Sequence, residues 1–130
     1  MIAIIDYGVG NLFSLKSSFA AIGQEAAVTG DAAKIADAER VILPGVGAFA
    51  DAYEKLCTSG LDEAVRRAVK SGKPVMGICL GMQLLFERSF EYGEHPGLGL
   101  LGGEVVGMEG RLPSGLPIPH IGWNALKLRR

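Results

Sequence analysis

Lys73-Pro74-Val75-Met76-Gly77-Ile78-Cys79-Leu80-Gly81-Met82-Gln83-Leu84-Leu85-Phe86 is an apolar run that breaks at a cysteine set between glycines and then resumes with helical spacing. It reads as a strand from Lys73 to Ile78, a sharp turn, and a helix ending near Ser89. In that geometry Cys79 occupies the turn, where unpaired backbone N–H groups and the positive end of the helix dipole favour a thiolate. Gly77-x-Cys79-x-Gly81 is the thiol counterpart of a nucleophile elbow, whose glycines allow a strained turn and leave the nucleophile exposed. For an isolated cysteine, burial in the core is the plain alternative. The flanking glycines and the strand–helix context favour the nucleophile.

The same alternation recurs upstream. Ile2 to Ile5 is a continuous apolar run, as expected of a strand buried on both faces, and it ends in the turn Asp6-Tyr7-Gly8-Val9-Gly10-Asn11. Leu12, Leu15, Phe19 and Ile22 then recur at helical spacing, with Asn11 placed to cap the helix and Gly23 to end it. A weaker strand is expected over 24–29 and a short alanine-rich helix over 31–38. A clear strand over 40–43 closes in Pro44-Gly45-Val46-Gly47. Residues 48–57 and the segment from Leu61 to Val69 read as two helical faces separated at Ser59-Gly60, with Cys57 a core position near Tyr53 and Leu56.

Four strand–helix alternations in under ninety residues imply an α/β fold, a parallel sheet with helices on both faces and right-handed crossovers. Ligands bind such sheets at the carboxyl ends of the strands. The loops at 6–11, 44–47 and 79–81 are therefore expected to converge on one cleft. Beyond Ser89 the pattern changes to a glycine-rich connector holding His95, which looks mobile. Strands over 104–108 and 121–128, expected to be antiparallel, follow around a proline-rich turn.

Composition narrows the class. A chain of 130 residues can bury a real core as one domain. With 48% hydrophobic and 21% charged residues and a formal net charge of −1, it has the make-up of a soluble globular protein without a nucleic-acid-binding face. The N-terminus lacks a basic region and its apolar run is too short for a signal peptide or membrane span, so a cytoplasmic location is expected. Cys57 and Cys79 are too unlike in context for a zinc site or a disulfide scaffold, and no metal is expected.

A thiolate on an elbow attacks acyl carbons, and the resulting oxyanion needs donors already in place. The Leu80 amide is one candidate. The Val46 or Gly47 amide is the second, because glycines let the peptide plane after that strand turn inward. Gly45 to Ala50 also fits the dinucleotide fingerprint G-x-G-x-x-G/A, but the next strand ends in Gly77-Ile78-Cys79 instead of the acidic residue that would hold a ribose. A cysteine nucleophile also needs a histidine base. Only His95 and His120 exist, and neither is well placed.

Asp6-Tyr7-Gly8-Val9-Gly10-Asn11-Leu12, Leu43-Pro44-Gly45-Val46-Gly47-Ala48-Phe49, Gly77-Ile78-Cys79-Leu80-Gly81-Met82-Gln83-Leu84-Leu85-Phe86-Glu87 and Pro119-His120-Ile121-Gly122-Trp123-Asn124 together resemble the glutamine amidotransferase subunits of imidazole glycerol phosphate synthases, members of the triad-type, class I glutamine amidotransferases. The resemblance covers the whole chain. It implies a flavodoxin-like three-layer sandwich over residues 1–130 with a C-terminal antiparallel strand extension that ends early. It further implies that Cys79 forms a glutamyl thioester and releases ammonia to a separate (β/α)8 barrel cyclase subunit, as a heterodimer in histidine biosynthesis, without a cofactor. By the same matching Gly45, Gln83 and Glu91 would contact glutamine, Val46, Gly47 and Leu80 would form the oxyanion region, and Asn11 and Trp123 would lie toward the cyclase. The family's catalytic His-x-Glu does not occur in these 130 residues. The domain is therefore expected to lack its C-terminal part, to turn glutamine over poorly or not at all, and to leave a sheet edge uncovered. A noncatalytic α/β docking or regulatory module is the alternative, and a nucleotide-binding domain a weaker one.

Overall fold

The chain is described by a computed structural model over residues 1–129; Arg130 lies outside the described residues. Ile2–Ile5 (β1), Ala26–Thr29 (β2), Arg40–Leu43 (β3) and Val75–Gly77 (β4) form a parallel sheet in the order β2-β1-β3-β4. The register runs Ile2 to Ala26, Ile2 to Arg40 and Val41 to Val75. The order reverses at β1, so the crossovers fall on opposite faces and give three layers.

The alternation of side chains along β1 decides which face each layer covers. Ile2 and Ile4, with Ile42, meet Leu12, Leu15 and Phe19 of the first helix, Leu12–Ala21 (α1). Asn11 caps that helix by accepting from the Ser14 amide at 3.3 Å, and Gly23 ends it at φ +70°. Ile22 falls past the last turn and is exposed. Ala3 and Ile5 point the other way, into the larger core beneath Ala32–Asp37 (α2), Phe49–Thr58 (α3) and Leu61–Lys70 (α4). On α4 the buried Leu61, Ala64, Val65 and Ala68 make one apolar stripe, so its docking follows from spacing alone.

After β4 the structure departs from the sequence reading. The helix after Cys79 is only Leu80–Leu84 (α5) and does not run on to Ser89. Phe86–Ser89 (β5) pairs instead, antiparallel with His95–Pro96 (β6) and parallel with Leu101–Val105 (β7). Nothing in Phe-Glu-Arg-Ser favours a strand locally; pairing with residues that come later in the chain overrides helical spacing. The connector at 94–103 is correspondingly not a loose loop. The amides of Gly97, Leu98, Gly99 and Leu100 donate to the carbonyls of Glu87, Leu84, Phe86 and Leu85. Arg88 ties the three strands together through Glu94 at 3.0 Å and Glu104 at 3.1 Å.

The strand expected over 104–108 lies three residues earlier, and the one expected over 121–128 is not formed. Residues 106–129 hold neither helix nor strand, and from Gly107 onward all are exposed. Ile121, Trp123, Leu126 and Leu128 alternate as a half-buried strand would, but a strand needs an edge to pair with, and they find none among the described residues. No described helix is long and apolar enough to cross a membrane.

Candidate active site

Cys79 lies two residues past the end of β4 and directly precedes α5 with φ 55° and ψ −119°, a backbone state costly for any residue but glycine. The sequence reading assigned the strain of this turn to the flanking glycines. The structure assigns it to the cysteine itself, because neither Gly77 nor Gly81 has positive φ. The two glycines serve a different need, which is space. A Cβ on Gly81 would lie 1.9 Å from the Leu43 carbonyl oxygen, and one on Gly77 would lie 2.4 Å from the Met82 Cα. Backbone therefore packs on backbone, with the first turn of α5 pressed onto the exit of β3. Hydrogen bonds from the Ile78 amide to the Leu43 carbonyl and from the Gly81 amide to the Ile78 carbonyl, both 3.0 Å, fix that approach.

The result is an exposed thiol on a rigid mount. Leu80 opens α5, where the helix supplies no acceptor for its amide. The loop after β3 lies alongside: a Cβ on Gly45 would come within 2.6 Å of the Gly81 nitrogen and 2.9 Å of the Leu80 Cβ. Val46 is exposed and Gly47 has φ +88°, and among the described residues neither amide donates to a protein acceptor. The loop after β1 completes the group, since a Cβ on Gly10 would lie 3.0 Å from the Pro44 Cβ. A cleft of about 400 Å³ opens between Gly8, Gly10, Val46, Gly47 and Asp51, so the loops after β1 and β3 share it, but Cys79 does not line it.

The remaining candidates divide. Gln83 sits half-buried on α5, its amide bonded to the Cys79 carbonyl at 3.3 Å. The Glu91 carboxylate accepts from the Phe49 amide at 2.7 Å, so it reaches the loop–helix junction that follows Gly47. That bond puts a negative charge on the first amide of α3, where a dinucleotide would need to place its pyrophosphate, and it argues against the nucleotide reading. Asn11 is exposed at the head of α1 and Trp123 is wholly exposed in the C-terminal segment.

Neither histidine is joined to the nucleophile. His95 Nε2 lies 3.2 Å from the Tyr92 carbonyl and His120 Nε2 lies 3.3 Å from Asn124 Nδ2. Cys57 is half-buried beside Tyr53, and burial pushes its thiol up from the ordinary value, in keeping with a structural position. Among the described residues no group of three or more His, Cys, Asp or Glu is placed to hold a metal.

One residue of the site carried no role in the sequence reading. Tyr7 is buried, and its hydroxyl donates to the Pro44 carbonyl at 2.7 Å. Its signal was present: Tyr7 continues the inward-facing series Ala3, Ile5 two residues past the end of β1.

Residues 2–115 match the family described as the CobB/CobQ-like glutamine amidotransferase domain. Among curated proteins, the imidazole glycerol phosphate synthase subunit HisH of Symbiobacterium thermophilum is 53% identical over 99% of this chain and 59% of its own length. That of Rhodopirellula baltica is 50% identical over 99% of this chain and 62% of its own. The chain thus spans about three fifths of the length of these relatives. A crystal structure of a glutamine amidotransferase superposes with a TM-score of 0.69 at 23% identity, over 82% of this chain and 56% of that one, which shows a shared fold.

Proposed function

The chain belongs to the glutamine amidotransferase family, and from that membership and the elbow at Cys79 we propose that it is the nucleophile-bearing part of the glutaminase subunit of an imidazole glycerol phosphate synthase. The observation that carries the reading is the exposed Cys79 held at positive φ between β4 and α5, with the next residues, Leu80 and Gly81, packed against the loop after β3. The thiolate attacks the carboxamide carbon of glutamine. A C–S bond forms and the carbonyl electron pair moves onto oxygen, to which the amides of Leu80 and of Val46 or Gly47 donate hydrogen bonds. Collapse of that intermediate breaks the C–N bond; the nitrogen takes a proton and leaves as ammonia, and water then cleaves the thioester to glutamate.

Gly45, Gln83 and Glu91 hold the substrate in this reading. Ammonia passes to a cyclase subunit with a (β/α)8 barrel, in a cytoplasmic heterodimer serving histidine biosynthesis, with Asn11 and Trp123 facing the partner. No cofactor or metal is needed for these steps. Attack requires only the elbow, whereas turnover requires a base and an acid. No His-x-Glu occurs in residues 1–130, and neither His95 nor His120 is bonded to Cys79.

These 130 residues alone should therefore bind and attack glutamine without useful turnover. Ammonia release should fall short of a full-length relative by about three orders of magnitude or more. Glutamine, and not glutamate, should protect Cys79 from alkylation. Ammonia release at the relative's rate would contradict the first statement, and absence of protection would leave a noncatalytic docking module as the better description.

A further inference from the structure

We propose that Tyr7 is a positioning residue for the oxyanion loop, its hydroxyl latching the root of residues 44–47 so that the Val46 and Gly47 amides are presented to Cys79. The inference rests on the glutaminase reading above. Pro44 is fully buried, and its carbonyl accepts from the Tyr7 hydroxyl at 2.7 Å. The phenol itself is only 6% exposed, and burial pushes it up to about 12, so it remains a donor at any ordinary pH.

The other flank of the same peptide is equally confined. A Cβ on Gly45 would stand 3.0 Å from the Tyr7 hydroxyl and 2.6 Å from the Gly81 nitrogen. The Pro44–Gly45 peptide is thus gripped between the phenol and the first turn of α5. One residue later the grip ends, since Val46 is 54% exposed and Gly47 has φ +88°. Fixing one peptide plane at the root restricts the next to rotation about Gly45, and that rotation sets where the following amides point. Phenylalanine would fill nearly the same space but could not hold the carbonyl.

The test uses the 130-residue chain and its Tyr7→Phe variant with two electrophiles. A chloroketone built on glutamine develops an oxyanion during attack by Cys79, whereas iodoacetamide alkylates the thiolate by direct loss of iodide without one. The variant should react with the chloroketone slower by about tenfold or more while iodoacetamide stays within about twofold. The backbone amide resonances of Val46 and Gly47 should shift or broaden, with those of Val41 unchanged. A parallel fall with both reagents would reduce Tyr7 to a fold contact and overturn the proposal, as would unchanged chloroketone rates with unchanged Val46 and Gly47 resonances. Wild-type Cys79 reacting with the chloroketone no faster than Cys57 is a separate failure, which removes the glutaminase reading and this inference together.

Discussion

Residues 40–84 and residues 106–129 both carry short motifs rich in glycine, proline and polar side chains, yet the chain treats them in opposite ways. In the first, β3, the loop at 44–47, β4 and α5 press backbone against backbone, and Cys79 is held in a strained conformation by its surroundings. In the second, His120, Trp123 and Asn124 lie in an exposed segment without helix or strand. The difference lies in company. β3 finds parallel partners on both sides, and the elbow rests on the end of β3; the later motif has no packing partner among the described residues. Backbone strain persists only where neighbours over-determine it, so the turn at Cys79 is fixed by packing within residues 1–105.

Gly81→Ala strikes the first region hardest. The added methyl would overlap the Leu43 carbonyl, and the variant should lose about 3 kcal/mol or more, or fail to fold, in a urea titration. A loss below about 1 kcal/mol would mean that the elbow rests loosely on β3, and the contrast with the C-terminal segment would collapse.

Tyr7→Phe should sharpen the contrast with pH. The folded phenol ionises near 12 against 10 for the unfolded chain. A raised value means that its contribution is whole below about pH 10 and is lost as pH climbs toward 12, a change of about 2 kcal/mol. The stability gap between wild type and variant should therefore close across that window. A gap that stays constant to pH 12 would show that the phenol is not buried as described. Trp123→Ala is the smallest effect. The ring is wholly exposed, so stability should stay within about 0.5 kcal/mol of wild type, and a larger loss would reveal packing in a segment described here as having none.

Much of residues 1–84 was legible from residue order. β1, α1, β3 and α4 have continuous or 3.6-period apolar patterns with turn residues at their ends, and these fix them whatever the rest of the chain does. The elbow was legible as a turn, but not the reason for its glycines. Gly77 and Gly81 look the same in a sequence whether they supply positive φ or make room for another strand's carbonyl. The fate of Phe86–Ser89 was illegible for a related reason: its strand is imposed by Leu101–Val105, and no local pattern reports a partner that arrives later. Residues 121–128 erred in the opposite sense. Their alternation is real, but pattern alone does not supply an edge. The burial of Tyr7 was legible from the alternation along β1, but not its bond to a carbonyl 37 residues away.

The most direct measurement is the rate at which a glutamine-derived chloroketone modifies Cys79 and Cys57 in the same molecule, resolved by peptide mass spectrometry. Cys79 is exposed on the elbow, while burial raises the Cys57 thiol beside Tyr53. The fold described here predicts modification of Cys79 at least about tenfold faster, with the preference reduced by free glutamine. Equal rates at the two cysteines would contradict the claim that residues 1–105 build a working nucleophile.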